Sequence, residues 1–539
     1  MKGWVIAHSV DQVATGERAF VQQLGYPGTD RLSYSSVLSA AECEAIDLAA
    51  YRDARSWYLK GDLDITVVEG VSLGRAFEYA ATETLVRHRR AALVLQKLLA
   101  DSPDKTLRLR GVGDEWWTMA RALGAEPVAE GLGVVPSPIS GAHPMPPPRF
   151  CRMISRLSGM RPPKNPRLVL VGSPTWARAH HRHLLRHESA QLVDPGPGLL
   201  LCAIGQRART ASIWLGDLNR DLRQPTQRQS AATSPEQEFI GAVETRFDLL
   251  QASMSSWASA GRRAGGSGVV AVAAQDVLPP QRAFLLGFRA AGGRIITLEH
   301  GLSGGYSEQV SSAADVLAAW GEPQAAYHRT AGPAGLRVVA VGWPRLESAV
   351  ALAPPAADDS WDLLHFSQPS EDLSAGNWPE ANLHALQLVE DYARQHADRK
   401  VAIKLHPASQ GCGLVPPPIQ HARMVTGESL QLIGSARVVV VVSSTTGIEA
   451  MSLGRPVLQV PPRGYVGPTE FIGDSGAAPR VDSVEQLAAA MEHLLSDRSA
   501  YGDAVERGRA FARAFIHGFG QPGMAVRQLA DLVAELQGS

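Results

Sequence analysis

The sequence contains few of the features that mark several common classes of protein. Its 539 residues include only four cysteines, and none of them forms a CxxC pair. This argues against a disulfide framework, a zinc knuckle or a dithiol redox centre. The formal net charge is −1, so no excess of positive charge attracts nucleic acid or an anionic membrane to the chain as a whole.

Long apolar segments are missing as well. Uninterrupted apolar stretches, such as residues 438–442, fall far short of the roughly 20 residues that a membrane-spanning helix needs. The first residues lack the sustained apolar region of a secretory signal peptide. We therefore expect a soluble cytoplasmic protein, and peripheral attachment to the inner face of the membrane stays open.

Two nucleotide-binding motifs are absent from the places where they would act. No GxGxxG follows the first strand of any segment, which disfavours an NAD-dependent enzyme built in the usual way. The motif GxxxxGK[ST] does not occur, so a P-loop kinase or ATPase is not supported.

The hydrophobic fraction of 45% and the charged fraction of 19% are those of an ordinary globular protein, and the length predicts more than one domain. Six prolines fall within residues 136–148, and a second proline-rich patch ends at Pro166. Proline excludes both helix interiors and central strands, so this stretch predicts a linker. The predicted divisions are an N-terminal α/β segment at 1–135, a linker at 136–166, and domains at 167–350 and 360–539.

Short, continuous apolar runs alternate with helix-compatible stretches in the second and third segments. Strands that helices cover on both faces have this pattern, so we predict an α/β fold with two doubly wound parallel sheets facing a cleft. The runs are residues 167–173, 198–205, 268–275, 293–301, 315–321, 362–368, 400–407, 436–444 and 456–460. The N-terminal segment has three candidate strands of its own, at 4–7, 64–70 and 106–112.

The most informative motif follows the apolar run that ends near residue 442. Ligands of open parallel sheets bind beyond the carboxyl ends of the strands. Here the strand leads into a predicted helix that begins at about Ile448, with Glu449 in its first turn. Free backbone amides and hydroxyls at a helix start bind anions, so we predict a phosphate site, with Glu449 as a ligand for a ribose diol. The residues between strand and helix are Ser443, Ser444, Thr445, Thr446 and Gly447.

Two further strand ends carry polar side chains. The run 400–407 ends in Lys404, Leu405, His406 and Pro407, and we expect the imidazole to donate to a phosphate oxygen. The run 293–301 ends in Glu299 and His300, on the domain opposite the phosphate site. We predict that His300 deprotonates an acceptor hydroxyl or binds the leaving phosphate, with Glu299 beside it. Asp276, which follows another strand, is a reserve base.

The motifs EHG, GWPR (342–345), KLHP and SSTTGIEAMSLGRPVL together resemble the bacterial capsule and surface-polysaccharide transferases. The resemblance covers roughly residues 290–480 and extends to the polysialyltransferases, the capsular Kdo transferases and the teichoic-acid polymerases. It implies a GT-B fold of two Rossmann-like domains, with a nucleotide-sugar as co-substrate and no cofactor or bound metal. It also implies that His406, Ser443 and Ser444 hold the donor's phosphate, that Glu449 holds its ribose, and that the nucleotide is a cytidine nucleotide.

One departure from these families bears on the donor. The teichoic-acid enzymes tend to carry an arginine shortly after His-Pro, whereas Ala408, Ser409 and Gln410 follow here. The sequence therefore favours a CMP-linked keto-sugar, sialic acid-like or Kdo, over glycerophosphate. The partners that we expect are this donor and a glycan, lipid-linked or protein acceptor, and no nucleic acid.

We therefore predict a glycosyltransferase whose acceptor half spans residues 1 to about 350 and whose donor half follows. The last helix, around residues 523–536, is expected to cross back onto the acceptor half. Two alternatives remain. A sugar-nucleotide 2-epimerase has the same architecture and turns over a UDP-sugar alone, and a non-catalytic homologue binds nucleotide-sugar or glycan as a scaffold.

Overall fold

The computed structural model describes most of the chain, and everything below refers to those residues. They are 4–23, 31–100, 106–129, 167–172, 190–193, 234–273, 275–302, 313–347, 361–368, 378–406, 418–462, 467 and 470–538. The predicted linker at 136–166 and the predicted strand at 198–205 lie outside them. The described strands form three parallel sheets and two short hairpins.

The first sheet belongs to the N-terminal segment, and its strands lie in the order β3-β2-β1-β8-β9. Two of the three predicted strands, at 4–7 and 106–112, are its neighbouring members β1 and β8. The strands are β1 (Trp4–Ser9), β2 (Ala19–Gln23), β3 (Arg31–Leu32), β4 (Leu59–Lys60), β5 (Leu63–Asp64), β6 (Val67–Val68), β7 (Val71–Ser72), β8 (Thr106–Arg110) and β9 (Glu126–Ala129). The helices are α1 (Tyr34–Val37), α2 (Ala40–Ala54), α3 (Leu73–Ala100) and α4 (Asp114–Ala122), with a 3₁₀ turn at Val10–Gln12.

The prediction of a sheet strand at 64–70 is wrong. This stretch forms parts of two small antiparallel hairpins, β4-β5 and β6-β7, and pairs with no strand of the first sheet. Two of its apolar residues are exposed rather than buried, Ile65 at 52% and Val67 at 50%. An apolar pattern alone does not separate a buried strand from an exposed hairpin.

The second sheet is entirely parallel and has the order β11-β10-β12-β13-β14-β15. Every described residue of β12 and β14 is buried, as the continuous apolar runs predict. The strands are β10 (Leu168–Val171), β11 (Ala190–Val193), β12 (Val270–Ala273), β13 (Arg294–Leu298), β14 (Val316–Ala319) and β15 (Arg337–Ala340). The helices are α5 (Pro235–Ala264), α6 (Pro279–Ala290) and α7 (Glu322–Ala331).

The third sheet is also parallel, with the order β18-β17-β16-β19-β20. Its central strand β16 therefore separates β17, which leads to His406, from β19, which leads to Ser443. The strands are β16 (Trp361–Phe366), β17 (Val401–Lys404), β18 (Arg423–Met424), β19 (Ala436–Val441) and β20 (Val457–Gln459). The helices are α8 (Trp378–Gln395), α9 (Ser429–Gly434), α10 (Thr445–Ser452), α11 (Phe471–Asp474), α12 (Val484–Ser496), α13 (Arg498–Phe515) and α14 (Met524–Gly538).

The last helix crosses back to the second sheet, as the sequence predicts. Leu529, Leu532 and Val533 of α14 are buried in one cluster with Leu170 of β10 and Val272 of β12. Two doubly wound parallel sheets joined in this way form the GT-B arrangement, so the predicted fold class is confirmed. No helix within the described ranges is long and apolar enough to cross a membrane.

The packing of α14 on the second sheet gives a testable expectation for stability. Leu529 is fully buried, so Leu529→Ala should leave a cavity and lower the unfolding free energy by about 2–5 kcal/mol. Asp531, two residues along the same helix, is exposed, and Asp531→Ala should change it by less than about 0.5 kcal/mol. Urea denaturation of both variants is the measurement, and equal stability of the two would contradict the assigned docking of α14.

Candidate functional site

The hydroxyl-rich segment forms the start of helix α10. Ser444 is the residue before the helix, and its hydroxyl accepts a hydrogen bond from the Thr446 amide at 3.3 Å. The Thr446 hydroxyl lies 2.8 Å from the same Ser444 oxygen. Two of the four hydroxyls are therefore engaged with each other in capping the helix.

The other two hydroxyls face away from the cap. The Thr445 hydroxyl accepts a hydrogen bond of 3.2 Å from the Leu302 amide, which belongs to the loop after β13. The half-buried Ser443 hydroxyl has no protein partner among the described residues. Gly447 is closely packed, because a Cβ there would lie 2.9 Å from the Ile472 side chain. Ser443 is thus the hydroxyl that is free to bind a ligand at the positive end of the helix dipole.

The position of Glu449 differs from the prediction. Helix α10 begins at Thr445 rather than at Ile448, and its first turn contains no acidic residue. Glu449 is therefore the fifth residue of the helix, and its side chain is only 2% exposed. The helix begins earlier than predicted because the Ser444 hydroxyl caps its first turn.

Arg345, the last residue of the GWPR motif, forms an ion pair with Glu449. Nη1 of Arg345 lies 3.2 Å from Oε1 of Glu449, and the same guanidinium also pairs with Glu428. Burial raises the pKa of Glu449 to about 7, although Arg345 opposes this shift. The second oxygen, Oε2, is buried and has no hydrogen-bond partner in the described structure.

His406 lies beyond β17, at the edge of the sheet where the prediction placed it. Its backbone amide donates to the Ser367 hydroxyl at 2.8 Å, and Ser367 follows the central strand β16. Burial, with the charges of Lys404 and His300, lowers the pKa of His406 to about 4. The imidazole is therefore neutral at pH 7 and carries no positive charge. Pro407 lies outside the described residues.

The residue after Ser367 also belongs to this edge. The Gln368 side-chain amide donates to the Ser443 carbonyl, and its backbone amide donates to the Asn382 side chain at 3.0 Å. Gln368 therefore ties the end of β16 to the start of the segment that leads into α10. The rule that polar residues follow strand ends applies to Ser367 and Gln368 as well, but the sequence analysis counted both in the strand.

Lys404 is the last residue of β17 and is half-buried. Its ammonium lies 5.7 Å from the centre of the Phe366 ring, and burial lowers its pKa while the charges of Glu449 and Glu428 raise it. Lys404 thus contributes positive charge near Arg345 at the carboxyl edge of the third sheet.

The loop after β13 brings His300 to the donor side of the cleft. Leu302 of this loop bonds to Thr445, and a Cβ on Gly301 would lie 3.5 Å from the Thr445 hydroxyl. His300 keeps open surface, and the charge of its imidazole is felt by His406. Desolvation lowers the pKa of the His300 imidazole, which favours its neutral form.

Glu299 points into the protein instead of toward His300. It is 5% exposed, and its Oε2 accepts a hydrogen bond of 2.6 Å from the Trp320 amide. Its Oε1 lies 3.6 Å from Nε2 of the buried His328. Burial raises the pKa of Glu299. These contacts place Glu299 beneath the loop, as a support for its backbone.

Asp276 is also in the interior, with an exposed fraction of 2%. Its carboxylate accepts a hydrogen bond from the Ala313 amide and lies 3.8 Å from the buried guanidinium of Arg282. A carboxylate held in this way by a cation and an amide has little surface to offer an acceptor. Both oxygens of Asp276 are therefore engaged by the protein, Oδ2 by the Ala313 amide and Oδ1 by Arg282, which gives Asp276 a structural role.

Comparisons with known proteins bear on the fold only. No protein-family model matches the sequence, and no curated protein does so either. The chain is similar to the UDP-GlcNAc 2-epimerase from Neisseria meningitidis bound to UDP-GlcNAc, with 11% identity and a TM-score of 0.42 over 68% of this chain and 99% of that one.

Two solved transferase structures give similar values. MurG from Acinetobacter baumannii has 15% identity and a TM-score of 0.37 over 69% of this chain and 100% of its own. The wall teichoic acid polymerase TagF has 10% identity and a TM-score of 0.40 over 72% and 95%. Likenesses of this size carry no argument about activity, and the fold assignment rests on the sheet topology and the crossing helix.

The buried carboxyl group of Glu449 predicts a pH-dependent stability. Its folded-state pKa of about 7 lies above the ordinary 4.5, so its contribution to stability is fully present below pH 4.5 and is lost as the pH rises to 7. Relative to the native chain, Glu449→Gln should gain up to about 3 kcal/mol across this window, at about 1.4 kcal/mol per pH unit. Urea denaturation at pH 5 and pH 8 measures the gain, and a pH-independent difference would refute it.

Proposed function

We propose that this protein is a nucleotide-sugar-dependent glycosyltransferase of the GT-B kind. In this proposal the donor's phosphate binds at the start of helix α10, between Ser443 and His406. The single observation that carries it is the convergence of these two groups at one sheet edge, opposite His300 of the other domain. The groups at this sheet edge support the general class, a sugar-nucleotide enzyme. The assignment as a transferase with a particular donor is supported by the sequence motifs.

The chemistry of the sheet edge supports an anionic ligand. The start of α10 presents backbone amides and the free Ser443 hydroxyl, which favour a phosphate through hydrogen bonds and the helix dipole. Lys404 and Arg345 add positive charge nearby. A phosphate bound there would raise the pKa of His406 and so strengthen its hydrogen bond. These groups stabilise the leaving nucleotide without requiring a metal ion in the proposed site.

His300 is the proposed general base. A base must be unprotonated before it acts, and the lowered pKa of His300 meets this requirement at neutral pH. In the proposed step the imidazole takes the proton from an acceptor hydroxyl. The hydroxyl oxygen forms a bond to the anomeric carbon of the donor sugar, and the bond from that carbon to the phosphate oxygen breaks. The nucleotide leaves with its electrons and is held by the α10 amides.

The identity of the donor is the finer part of the proposal. By likeness of motifs the donor is a CMP-linked keto-sugar, and the acceptor is a surface glycan, a lipid-linked sugar or a protein. Glu449 is the proposed ligand of the ribose, through the buried oxygen that Arg345 does not engage.

Nucleotide binding is the first test. Melting temperatures should rise with at least one of CMP, CDP, UDP and GDP, and CMP is the one expected. A ligand at a hundredfold excess over its dissociation constant stabilises by about 2.7 kcal/mol. Ser443→Ala and His406→Ala should each weaken binding by about tenfold, since each removes one hydrogen bond to a charged group.

A matched control separates loss of this site from a general effect of histidine removal. His493 is exposed on α12, and His493→Ala should leave nucleotide affinity unchanged. Failure of all four nucleotides to shift the melting temperature would sink the proposed donor site.

Catalysis tests His300 separately. His300→Ala should lower transfer by roughly 10²–10⁴-fold while leaving nucleotide affinity within about twofold, and His493→Ala should do neither. The measurement is release of CMP from a CMP-linked keto-sugar in the presence of an oligosaccharide acceptor. For the native chain kcat/KM should rise through a pKa below 6.5 and then level off. Full activity of the His300→Ala variant would remove the base from this proposal.

The same reactions distinguish the epimerase. A 2-epimerase converts a UDP-sugar without an acceptor, whereas the proposed transferase shows only slow hydrolysis under those conditions. Turnover of UDP-GlcNAc alone, followed by NMR of the sugar, would favour the epimerase.

A further inference from the structure

Arg345 is held by the protein at the boundary between the second and third sheets. It lies in the helical turn at residues 344–347, just after β15. Trp343, two residues before it, stacks on Trp320 with ring centres 3.9 Å apart and an angle of 4° between the planes. Leu346 on the other side is 1% exposed. The backbone on both sides of Arg345 is therefore fixed by packing.

The guanidinium joins two carboxylates of the donor half. Its Nη1 lies 3.2 Å from Oε1 of Glu449, and its Nη2 donates to Glu428. Glu428 is itself anchored, because its other oxygen accepts from the Gln431 amide at 3.0 Å. Arg345 thus holds Glu449 in one orientation from a fixed position.

This arrangement leaves one unsatisfied atom. Oε2 of Glu449 is buried and has no partner among the described residues. A buried acceptor without a donor destabilises the protein, and a hydroxyl donated by a ligand would remove that cost. The groups whose charges act on Glu449 are Arg345, Glu428 and Lys404, and only the first lies on the acceptor-side segment.

We propose that Arg345 is a positioning residue of the nucleotide site, which fixes Glu449 so that its free oxygen accepts a hydroxyl of the donor's ribose. This rests on the proposed function, because it takes the ligand to be a nucleotide at the α10 start. Arg345 touches the ligand only through Glu449. It therefore determines the preference of the site for a ribose over a deoxyribose, and the phosphate is bound by other groups.

The test compares two ligands that differ only in the ribose hydroxyls. Dissociation constants of CMP and of 2′,3′-dideoxy-CMP are measured by calorimetry for the native chain, for Arg345→Met and for Arg345→Lys. If another nucleotide of the melting panel binds more tightly, that nucleotide and its dideoxy form are used. The ratio of the two constants cancels every contribution of the base and of the phosphate, including the phosphate's own titration.

The native chain should prefer the ribonucleotide by about tenfold or more, the worth of one hydrogen bond to a charged acceptor. Arg345→Met should bring this ratio close to one while changing the affinity for the dideoxy analogue by less than about threefold. Arg345→Lys should restore part of the preference. Arg513→Met is the matched control, since Arg513 is 58% exposed on α13, and it should leave the ratio unchanged.

The pH dependence of the ratio of the two dissociation constants is a second measurement. A purely structural role of Arg345 would not affect it. The carboxylate form of Glu449 is the better acceptor, so the preference of the native chain should grow as the pH rises through about 7. Arg345→Met, whose ratio stays close to one, should show no such rise across this range.

Other outcomes overturn the inference in distinguishable ways. Equal loss of affinity for both analogues in Arg345→Met would show that the guanidinium binds the phosphate directly. A native chain that binds both analogues equally would refute the ribose contact and leave the proposed function standing. A native chain that binds none of the four nucleotides would refute the proposed function itself. Melting curves of the Arg345→Lys variant verify that the fold is retained.

Discussion

The stacking of Trp320 on Trp343 is the contact on which the cleft depends. Both rings belong to segments that follow strands of the second sheet, and both are buried in the same cluster as Leu364 and Val439 of the third sheet. Gly321, the residue after Trp320, packs directly against the end of helix α13, because a Cβ there would lie 1.8 Å from the Phe515 carbonyl. The two parallel sheets are therefore joined by core packing, which fixes their carboxyl edges relative to each other.

Two parts of the cleft are connected directly to this tryptophan pair. The Trp320 amide binds Glu299 and so supports the loop that carries His300, while Trp343 leads directly to Arg345. One face of the packed junction thus supplies a neutral imidazole, and the other supplies a fixed cation. Both histidines have lowered pKa values, so the positive charge at neutral pH comes from Lys404, Arg345 and the α10 dipole.

The sequence predicted those parts of the fold that depend on local patterns. Strands β12 to β14, β16, β17, β19 and β20 lie in apolar runs, because helices or neighbouring segments cover them, and alternation of such runs predicts a parallel sheet. The two-residue strand β18 is exposed and was not predicted. The stretch at 64–70 has the same composition but no covering layer, and its exposure could not be read from the residues alone. Ser443 and His406 were predictable because each follows a buried strand, and parallel strands end at one edge.

The roles of the carboxylates required the tertiary structure. Glu299 and Glu449 stand in the sequence beside polar residues that reach the cleft, yet both are buried and titrate at raised pKa values. Whether a carboxylate is free or engaged depends on partners distant in sequence, here Trp320 and Arg345, and on desolvation, which no spacing rule reports. A buried carboxylate that is paired through only one oxygen is therefore better understood as a pre-oriented acceptor than as a base. In a site where the phosphate is bound by amides and hydroxyls, such an acceptor can distinguish the sugar of the nucleotide without adding negative charge at the phosphate.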